Sequence, residues 1–275
     1  MDIATVNGVE LEYEVVGVGE PVLLISPVLA DGFVPLTAEP ALAGYQLIRY
    51  HKRGWVGSTH TPGTVSVSDH AADAAALLAH LGVPTAHVAG HSSGAAVAAQ
   101  LALEHSDVVQ TLALLELSLF SVPSAEAFFA QAGPAFEAYG SGNFEGALAL
   151  FMSVVSGLDW VDCRALLEKQ VPGSVAQAVK DADTFFDIEL PALADWALSA
   201  EQAAAIRQPI LSVLGGNTQP LWLEVAAFLR SSAPDVEECT IAGVGHLLHL
   251  ERAEPVARAL AAFFGRHPIP RAVSV

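Results

Sequence analysis

The segment Gly90-His91-Ser92-Ser93-Gly94 places a serine between two glycines. It follows a predicted strand (residues 85–89) and precedes a predicted helix (residues 93–105), the order that builds a sharp turn exposing a serine hydroxyl. Glycine lacks a Cβ atom, so the strand and the helix can approach each other closely. The backbone N–H of Ser93, at the helix N-terminus, can stabilise an oxyanion formed beside Ser92. These features predict Ser92 as a nucleophile.

A serine hydroxyl reacts well when a base removes its proton, and histidine is the commonest base. His246 is the best candidate, because it follows Gly243-Val244-Gly245 in a short loop between the last predicted strand and the last predicted helix. His249 is the alternative base, although we expect it to be structural. The two histidines resemble part of a metal site, but the sequence offers no third ligand near them. We therefore predict no metal site and, because the sequence has neither a phosphate-binding loop nor a dinucleotide fingerprint, no cofactor.

The elements that must position these residues alternate between strands and helices. Before the insert, strands are predicted at residues 3–6, 9–16, 22–25, 45–49, 85–89 and 109–116, and helices at 68–81 and 93–105. After it, strands are predicted at 210–214 and 237–241, and helices at 220–232 and 254–264. This order indicates an α/β protein with a mainly parallel sheet and helices on both faces.

The alternation stops between residues 121 and 206. Helices are predicted there at 125–138, 144–156, 174–186 and 201–206, with no clear strand among them. An insert in a parallel sheet usually lies above the carboxyl ends of the strands, where such folds bind ligands. We expect a helical lid (residues 121–206) inserted into a core domain made of residues 1–120 and 207–275.

With these motifs, the chain resembles the α/β-hydrolase superfamily. The resemblance rests on Gly90–Gly94, on the segment from His51 to Ser58 (HKRGWVGS) after the fourth strand, and on Gly245-His246, and it covers nearly the whole chain outside the insert. It implies the α/β-hydrolase fold with a helical lid, and a hydrolase that uses a serine, a histidine and an acid.

The acid departs from the family pattern. The family usually places an aspartate after the strand that follows the insert, whereas residues 214–220 here contain Asn217 and no carboxylate. Glu116 instead ends the strand after the nucleophile in an apolar stretch, where a carboxylate is costly to bury without a partner. Some haloalkane dehalogenases and zearalenone lactonases of this superfamily carry their acid after the same strand. We predict a Ser92–His246–Glu116 triad, the alternative for Glu116 being a salt bridge at the sheet rim.

The oxyanion hole departs from the pattern as well. Relatives often have His-Gly after the third strand, but this chain has Ser26-Pro27-Val28. Because Pro27 has no N–H, we predict the backbone N–H of Val28 as the donor that accompanies Ser93. Asp31 in the same loop is expected to cap a helix that starts near Val34.

Composition and charge restrict the partners. The chain has 12 Lys and Arg against 30 Asp and Glu, a formal net charge of −18, which disfavours nucleic acids and anionic membrane surfaces as partners. The sequence shows neither a signal peptide nor an apolar run long enough to span a bilayer, so we expect a cytoplasmic protein without membrane insertion.

These features together predict a serine hydrolase that cleaves a small, hydrophobic, uncharged carboxylic ester or lactone. Its pocket is expected to include His91, Leu29, Trp160, Phe186 and Trp196. Two alternatives remain open on the same scaffold: a hydrolase of carbon–carbon bonds that uses the same triad, and a ligand-binding homologue with little turnover.

Overall fold

The computed structural model describes residues 1–270, so the end of the expected core segment 207–275 lies outside the described residues. Within residues 1–270, eight strands form one sheet: β1 (Asp2–Val6), β2 (Val9–Val16), β3 (Glu20–Ile25), β4 (Tyr45–Tyr50), β5 (Ala86–His91), β6 (Val109–Leu115), β7 (Ile210–Gly215) and β8 (Val236–Ile241). Their order is β1-β2-β4-β3-β5-β6-β7-β8. The pairs β1–β2 and β2–β4 are antiparallel and the other pairs are parallel.

Helices cover the sheet and fill the insert. Within the described residues they are α1 (Val34–Thr37), α2 (Val67–His80), α3 (Ser93–Glu104), α4 (Ala125–Gly140), α5 (Phe144–Ser156), α6 (Trp160–Gln170), α7 (Ser174–Lys180), α8 (Leu190–Asp195), α9 (Ala200–Ala205), α10 (Pro220–Ser232), α11 (Leu248–Glu251) and α12 (Ala253–Arg266). A π-helix (Thr184–Glu189) precedes α8 directly. Because π-turns interrupt the ordinary helical repeat, they often mark functional positions.

The central strands of the sheet are parallel and almost fully buried. All six residues of β5 and nearly all of β6 are buried, as expected for strands covered by helices on both faces. On one face, α2 and α3 pack against the sheet, and α2 begins with a capping box between Ser66 and Asp69. The carboxyl ends of β5 and β6 therefore lie side by side, with His91 paired to Leu115. The residues that follow each strand emerge next to each other at this edge.

The helices α4 to α9 lie between β6 and β7, within the predicted insert. Their apolar side chains form a cluster with core residues such as Trp55, Trp222 and Leu247. The expected helix at residues 174–186 ends at Lys180, because the chain then continues into the π-helix. Pro134 lies inside α4. Within the described residues no single helix has the length and hydropathy of a membrane span, although α5 and α6 pass that test together as a pair bent by 92°.

Candidate active site

Ser92 occupies the turn between β5 and α3, with φ 55° and ψ −118°. This backbone conformation is strained for a non-glycine residue. A Cβ atom at Gly90 would overlap the carbonyl group of Gly94, and one at Gly94 would overlap the carbonyl oxygen of Ile25. The glycines are thus required by the close contact of β3, β5 and α3. The backbone N–H of Ser92 donates to the carbonyl oxygen of Leu115 at 2.9 Å, which fixes the turn against β6.

Glu116 follows β6 directly and also has a positive φ, 46°. Its Oε2 atom lies 2.7 Å from His246 Nδ1, and its Oε1 accepts a hydrogen bond from the Gly215 N–H at 2.7 Å. Glu116 and His246 are buried, with 1% and 3% of their surfaces exposed. By contrast Asn217, in the loop where the family usually has an aspartate, is exposed. The structure therefore brings Glu116, and not the loop after β7, against the imidazole.

The Ser92 hydroxyl contacts another serine. Its Oγ lies 3.0 Å from Ser118 Oγ, and the Ser118 N–H donates to the carbonyl oxygen of Ser92 at 3.2 Å. Within residues 1–270 no hydrogen bond joins Ser92 Oγ to the His246 ring, although both residues line the same cavity. Ser118, two residues after Glu116 at the same edge of the sheet, carries no motif that would have predicted it from the sequence.

Two aromatic rings contact the imidazole of His246. The Trp222 indole stacks on the imidazole with ring centroids 3.9 Å apart, and the His91 ring lies 4.5 Å away. His91 Nε2 donates to the carbonyl oxygen of His246 at 2.9 Å. Burial, together with His249 and His246, lowers the pKa of His91 well below its usual value. A neutral His91 can thus position the His246 backbone without adding charge.

His249 lies behind His91, with ring centroids 4.3 Å apart. Burial, with a smaller effect from His246, lowers the pKa of His249 to about 3. Neither ring nitrogen of His249 has a hydrogen-bond partner within the described residues. These contacts favour a structural role for His249 and leave His246 as the candidate base.

The predicted oxyanion donors Val28 and Ser93 line the same cavity as Ser92. Ser93 is the first residue of α3, and the N–H groups of a first helical turn have no partner within the helix. A substrate oxygen beside Ser92 would therefore meet an unpaired N–H and the positive end of the α3 dipole.

The expected role of Asp31 as a helix cap is wrong. The residue before α1 is Phe33, which makes no side-chain cap, and the Asp31 carboxylate instead contacts Arg49 and His51 Nε2, the latter at 3.1 Å. The hydrogen bond from His51 lowers the pKa of Asp31. A nearby arginine and histidine thus compete more strongly for the carboxylate than the N-terminus of a four-residue helix does.

A cavity of about 30 Å³ adjoins the candidate nucleophile. Its lining comprises Pro27, Val28, Leu29, His91, Ser92, Ser93, Ser118, Phe120, Phe128, Phe151, Met152, Val155, Phe185, Leu190, Leu193, Trp222, His246 and Leu247. The expected pocket residues Leu29 and His91 are among them. The wall is mostly apolar, and its hydroxyl and imidazole groups are grouped at the ends of β5 and β6.

Three of the expected pocket residues are not among the described residues that line this cavity, and their place in a substrate pocket stays a prediction. Trp196 donates from Nε1 to Gln100 at 2.9 Å and packs on the core beside α3. Phe186 stacks on Tyr139 with centroids 4.6 Å apart, inside the insert. Trp160 is the first residue of α6 and packs within the insert cluster. Helical spacing marks such residues as packed but does not reveal which neighbour they pack against.

Glu189 and Lys52 are a further buried pair, not predicted from the sequence. Lys52 Nζ lies 2.7 Å from Glu189 Oε2, and the Glu189 carboxylate also accepts a hydrogen bond from the hydroxyl of Ser93, next to Ser92. The signal was present, because Ile188-Glu189-Leu190 places a carboxylate between apolar residues in the same way as Leu115-Glu116-Leu117 does. Within residues 1–270 no group of three or more His, Cys, Asp or Glu side chains is arranged to hold a metal ion.

Comparison with known proteins places the chain in a family. A family model described as the alpha/beta hydrolase fold matches residues 29–253. The chain belongs to the α/β-hydrolase family. Among curated proteins, this α/β-hydrolase is similar to "Putative carbamate hydrolase RutD" of Azorhizobium caulinodans, with 35% identity over 107 residues. That match covers 38% of this chain and 40% of the relative, less than half the relative's length.

Solved structures of the family have the same architecture as this α/β-hydrolase. The enol-lactonase from Burkholderia xenovorans LB400 superposes with a TM-score of 0.77 and 20% identity, covering 96% of this chain and 100% of the other. A thermophilic esterase from Thermogutta terrifontis gives a TM-score of 0.75 at 22% identity, covering 97% and 99%. The fold expected from the sequence is thus confirmed. Sequence identities this low show a shared fold and not a shared activity.

Proposed function

We propose that this α/β-hydrolase is a serine hydrolase that cleaves an uncharged, hydrophobic carboxylic ester or lactone. The observation that carries the proposal is the 2.7 Å contact between His246 Nδ1 and Glu116, beside a cavity that Ser92 also lines. A carboxylate accepts hydrogen bonds and does not donate them, so Nδ1 carries the ring proton and Nε2 keeps a lone pair. An imidazole in this state is suited to remove a proton from a serine.

In the proposed reaction Ser92 Oγ turns from Ser118, gives its proton to His246 Nε2 and attacks the substrate carbonyl carbon. Negative charge forms on the carbonyl oxygen, which accepts hydrogen bonds from the N–H groups of Val28 and Ser93. The C–O bond to the alkoxy group then breaks, the alkoxy oxygen takes the proton from His246, and an acyl group remains on Ser92. Water, deprotonated by His246, attacks the acyl carbon and regenerates the serine.

The cavity wall supports a hydrophobic and uncharged substrate. No Lys, Arg, Asp or Glu side chain is among the described residues that line it. Such a wall offers no counter-ion to a charged substrate, and burial of an unpaired charge is strongly unfavourable. An ester or lactone presents a carbonyl oxygen to the donors and apolar groups to the wall. The names of the structural neighbours, an enol-lactonase and an esterase, agree with this class.

We also propose that residues 121–206 act as a lid. The cavity of about 30 Å³ holds roughly two water molecules, whereas pockets for small ligands measure about 300–1,000 Å³. Phe128, Phe151 and Phe185 of this segment line the cavity together with Leu29 and Leu247 of the core. A substrate larger than a few atoms can therefore enter only if these aromatic side chains move away from the core.

A fluorophosphonate probe tests the proposal, because it reacts covalently with an activated serine. We expect peptide mapping to find the label on Ser92 and the variant Ser92→Ala to be unlabelled and inactive. The exposed Ser231 provides a matched control, and Ser231→Ala should react like the unaltered protein. Failure to label Ser92 in the folded protein would contradict the proposal.

A substrate panel then separates ester hydrolysis from the alternatives. It contains p-nitrophenyl esters from acetate to decanoate, macrocyclic lactones and vinylogous diketones. Turnover of esters or lactones alone supports the proposal, whereas turnover of the diketones alone would favour carbon–carbon bond hydrolysis. Tight binding of these compounds without turnover of any would favour a ligand-binding role.

A further inference from the structure

Glu189 ends the π-helix and contacts Ser93, the residue that follows Ser92. It is 3% exposed, although it comes from the insert and not from the sheet. It accepts hydrogen bonds from the Lys52 ammonium at 2.7 Å, from the Trp55 indole N–H at 2.9 Å and, in a very short contact, from the Ser93 hydroxyl. A carboxylate of the insert is therefore bonded to the loop after β4 and to the first residue of α3.

The contact with Ser93 fixes the start of α3. Ser93 is 4% exposed, and its hydroxyl points to Glu189 while its backbone N–H belongs to the unpaired first turn of the helix. Restraint of the side chain limits rotation of the peptide group between Ser92 and Ser93. The direction of this N–H matters, because a donor acts on an oxyanion only within hydrogen-bond distance and close to a straight line.

A carboxylate at this position also carries an electrostatic cost. Negative charge beside an oxyanion hole opposes the negative charge that forms in the transition state. Lys52 offsets that effect, since its ammonium contacts Glu189 and lies 5.6 Å from the centre of the Trp55 ring. The ion pair is almost fully buried, with side-chain exposures of 2% for Lys52 and 4% for Glu189, so solvent screens it little.

The same carboxylate adjoins the cavity wall. Leu190 follows Glu189 directly, and Phe185 and Leu193 lie within four residues of it. All three side chains line the cavity next to Ser92. Because Glu189 is hydrogen-bonded to Ser93 and Lys52, it fixes the position of the insert's part of the cavity wall relative to the start of α3.

We infer that Glu189 and Lys52 are a positioning pair. Glu189 orients the Ser93 N–H toward the oxyanion, and Lys52 neutralises the charge of the Glu189 carboxylate. This inference rests on the proposed function, because it gives Ser93 the role of oxyanion donor. Neither Glu189 nor Lys52 touches the substrate.

The test compares Lys52→Met, Glu189→Gln and the double variant Lys52→Met/Glu189→Gln. Loss of an oxyanion donor lowers turnover by about 10²- to 10³-fold, so we expect Lys52→Met, which leaves an uncompensated carboxylate, to lower kcat about 100-fold. The double variant keeps an amide oxygen as acceptor for Ser93 and removes both charges, so its kcat should recover to within about tenfold of the unaltered protein. KM should change little, because the oxyanion exists only in the transition state.

Arg53→Met is the matched control. Arg53 forms the neighbouring ion pair with Asp73, which is also largely buried but does not contact Ser93. We expect this variant to lower the unfolding temperature and to leave kcat of the folded protein within twofold. If Lys52→Met does not fold, Ser93→Ala provides the test, because it removes only the contact between the Ser93 hydroxyl and Glu189. It should lower kcat about tenfold and leave KM unchanged. An unchanged kcat would overturn the inference.

The rate at which the fluorophosphonate labels Ser92 separates the two possible failures. A labelled wild-type protein with equal kcat in Lys52→Met and the double variant would overturn the inference alone. A folded wild-type protein without label would overturn the proposed function and, with it, the inference. Recovery of both kcat, expressed per folded enzyme, and labelling rate in the double variant, with KM unchanged throughout, would support a positioning role.

Discussion

Replacement of Glu116 by glutamine tests the most unusual feature of the candidate site. In one orientation the new amide oxygen keeps the hydrogen bond from the Gly215 N–H, and its NH₂ group faces His246 Nδ1. The imidazole must then carry its proton on Nε2, where it cannot accept the proton of Ser92. The equivalent change in a serine protease lowers turnover about 10⁴-fold.

In the other orientation the amide oxygen faces His246 and the NH₂ group faces the Gly215 N–H. This keeps the useful tautomer, but it leaves a buried N–H unpaired at a cost of about 1–3 kcal/mol and still removes the negative charge. We therefore expect kcat of Glu116→Gln to fall about 10²- to 10⁴-fold, equal to about 3–5.5 kcal/mol of transition-state stabilisation. KM should stay within a few-fold, because Glu116 lies behind the histidine and not in the cavity lining.

The assay is steady-state hydrolysis of the best ester from the panel, with circular dichroism to verify folding. Glu251→Gln is the matched control, since Glu251 accepts the Gly245 N–H at 3.0 Å in the same loop and does not contact the His246 ring. It should keep activity within threefold. Asn217→Asp in the Glu116→Gln background should restore nothing, because Asn217 is exposed. A folded Glu116→Gln variant with more than a tenth of wild-type kcat/KM would refute the assignment of the acid.

Three further predictions concern the packing around the site. Gly94→Ala should lower the free energy of unfolding by at least about 3 kcal/mol, because its Cβ would overlap a carbonyl oxygen of β3. The control is Gly133→Ala in α4, where a Cβ would meet no neighbouring atom within 4 Å, and this change should raise the free energy of unfolding by up to about 1 kcal/mol. His249→Leu should make the free energy of unfolding less sensitive to acid. Burial holds the pKa of His249 in the folded protein at about 3, so below about pH 6.5 the unfolded chain binds a proton that the folded protein does not. By pH 5 this difference lowers the free energy of unfolding of the unaltered protein by about 2 kcal/mol. Ser118→Ala should raise the rate of fluorophosphonate labelling up to about fivefold, because the hydrogen bond that Ser92 must break, worth about 1 kcal/mol, is absent.

Urea denaturation tests the first two predictions. For His249→Leu, the change in the free energy of unfolding relative to the unaltered protein is measured at pH 5 and at pH 7, and we expect it to be more favourable at pH 5. A stable Gly94→Ala protein would show that the turn can widen. Equal gains at both pH values would show that His249 is not the group responsible. A slower reaction of Ser118→Ala would indicate that Ser118 assists Ser92 instead of restraining it.

The sequence predicted best where one local constraint determines the structure. Glycines on both sides of Ser92 are needed because strand and helix come into contact there, and that requirement is visible without a structure. Glu116 was identified for a similar reason, because a carboxylate between leucines at the end of a buried strand needs a partner. The contact of Glu116 with His246 agrees with that prediction, while its catalytic role stays a prediction.

The insert was harder to predict, because its helices are positioned by contacts distant in sequence. Trp160 and Trp196 were expected in the pocket, but an aromatic residue at helical spacing packs equally well against the core, as Trp196 does beside Gln100. The π-helix was missed because it departs from the 3.6-residue repeat used to predict helices. Glu189 was missed with it, since its partner Lys52 lies 137 positions away.

The position of the candidate acid, directly after β6, has a consequence for the evolution and engineering of the scaffold. Ser92 and Glu116 both precede the insert in the chain and His246 follows it, so residues 121–206 contain no candidate triad member. A chimaera that exchanges this segment for the corresponding segment of a relative would keep all three candidate residues and acquire a new wall for the cavity beside Ser92. The exchanged segment must supply a carboxylate for Lys52 and Ser93, because a graft without it would leave the buried Lys52 ammonium without a counter-ion.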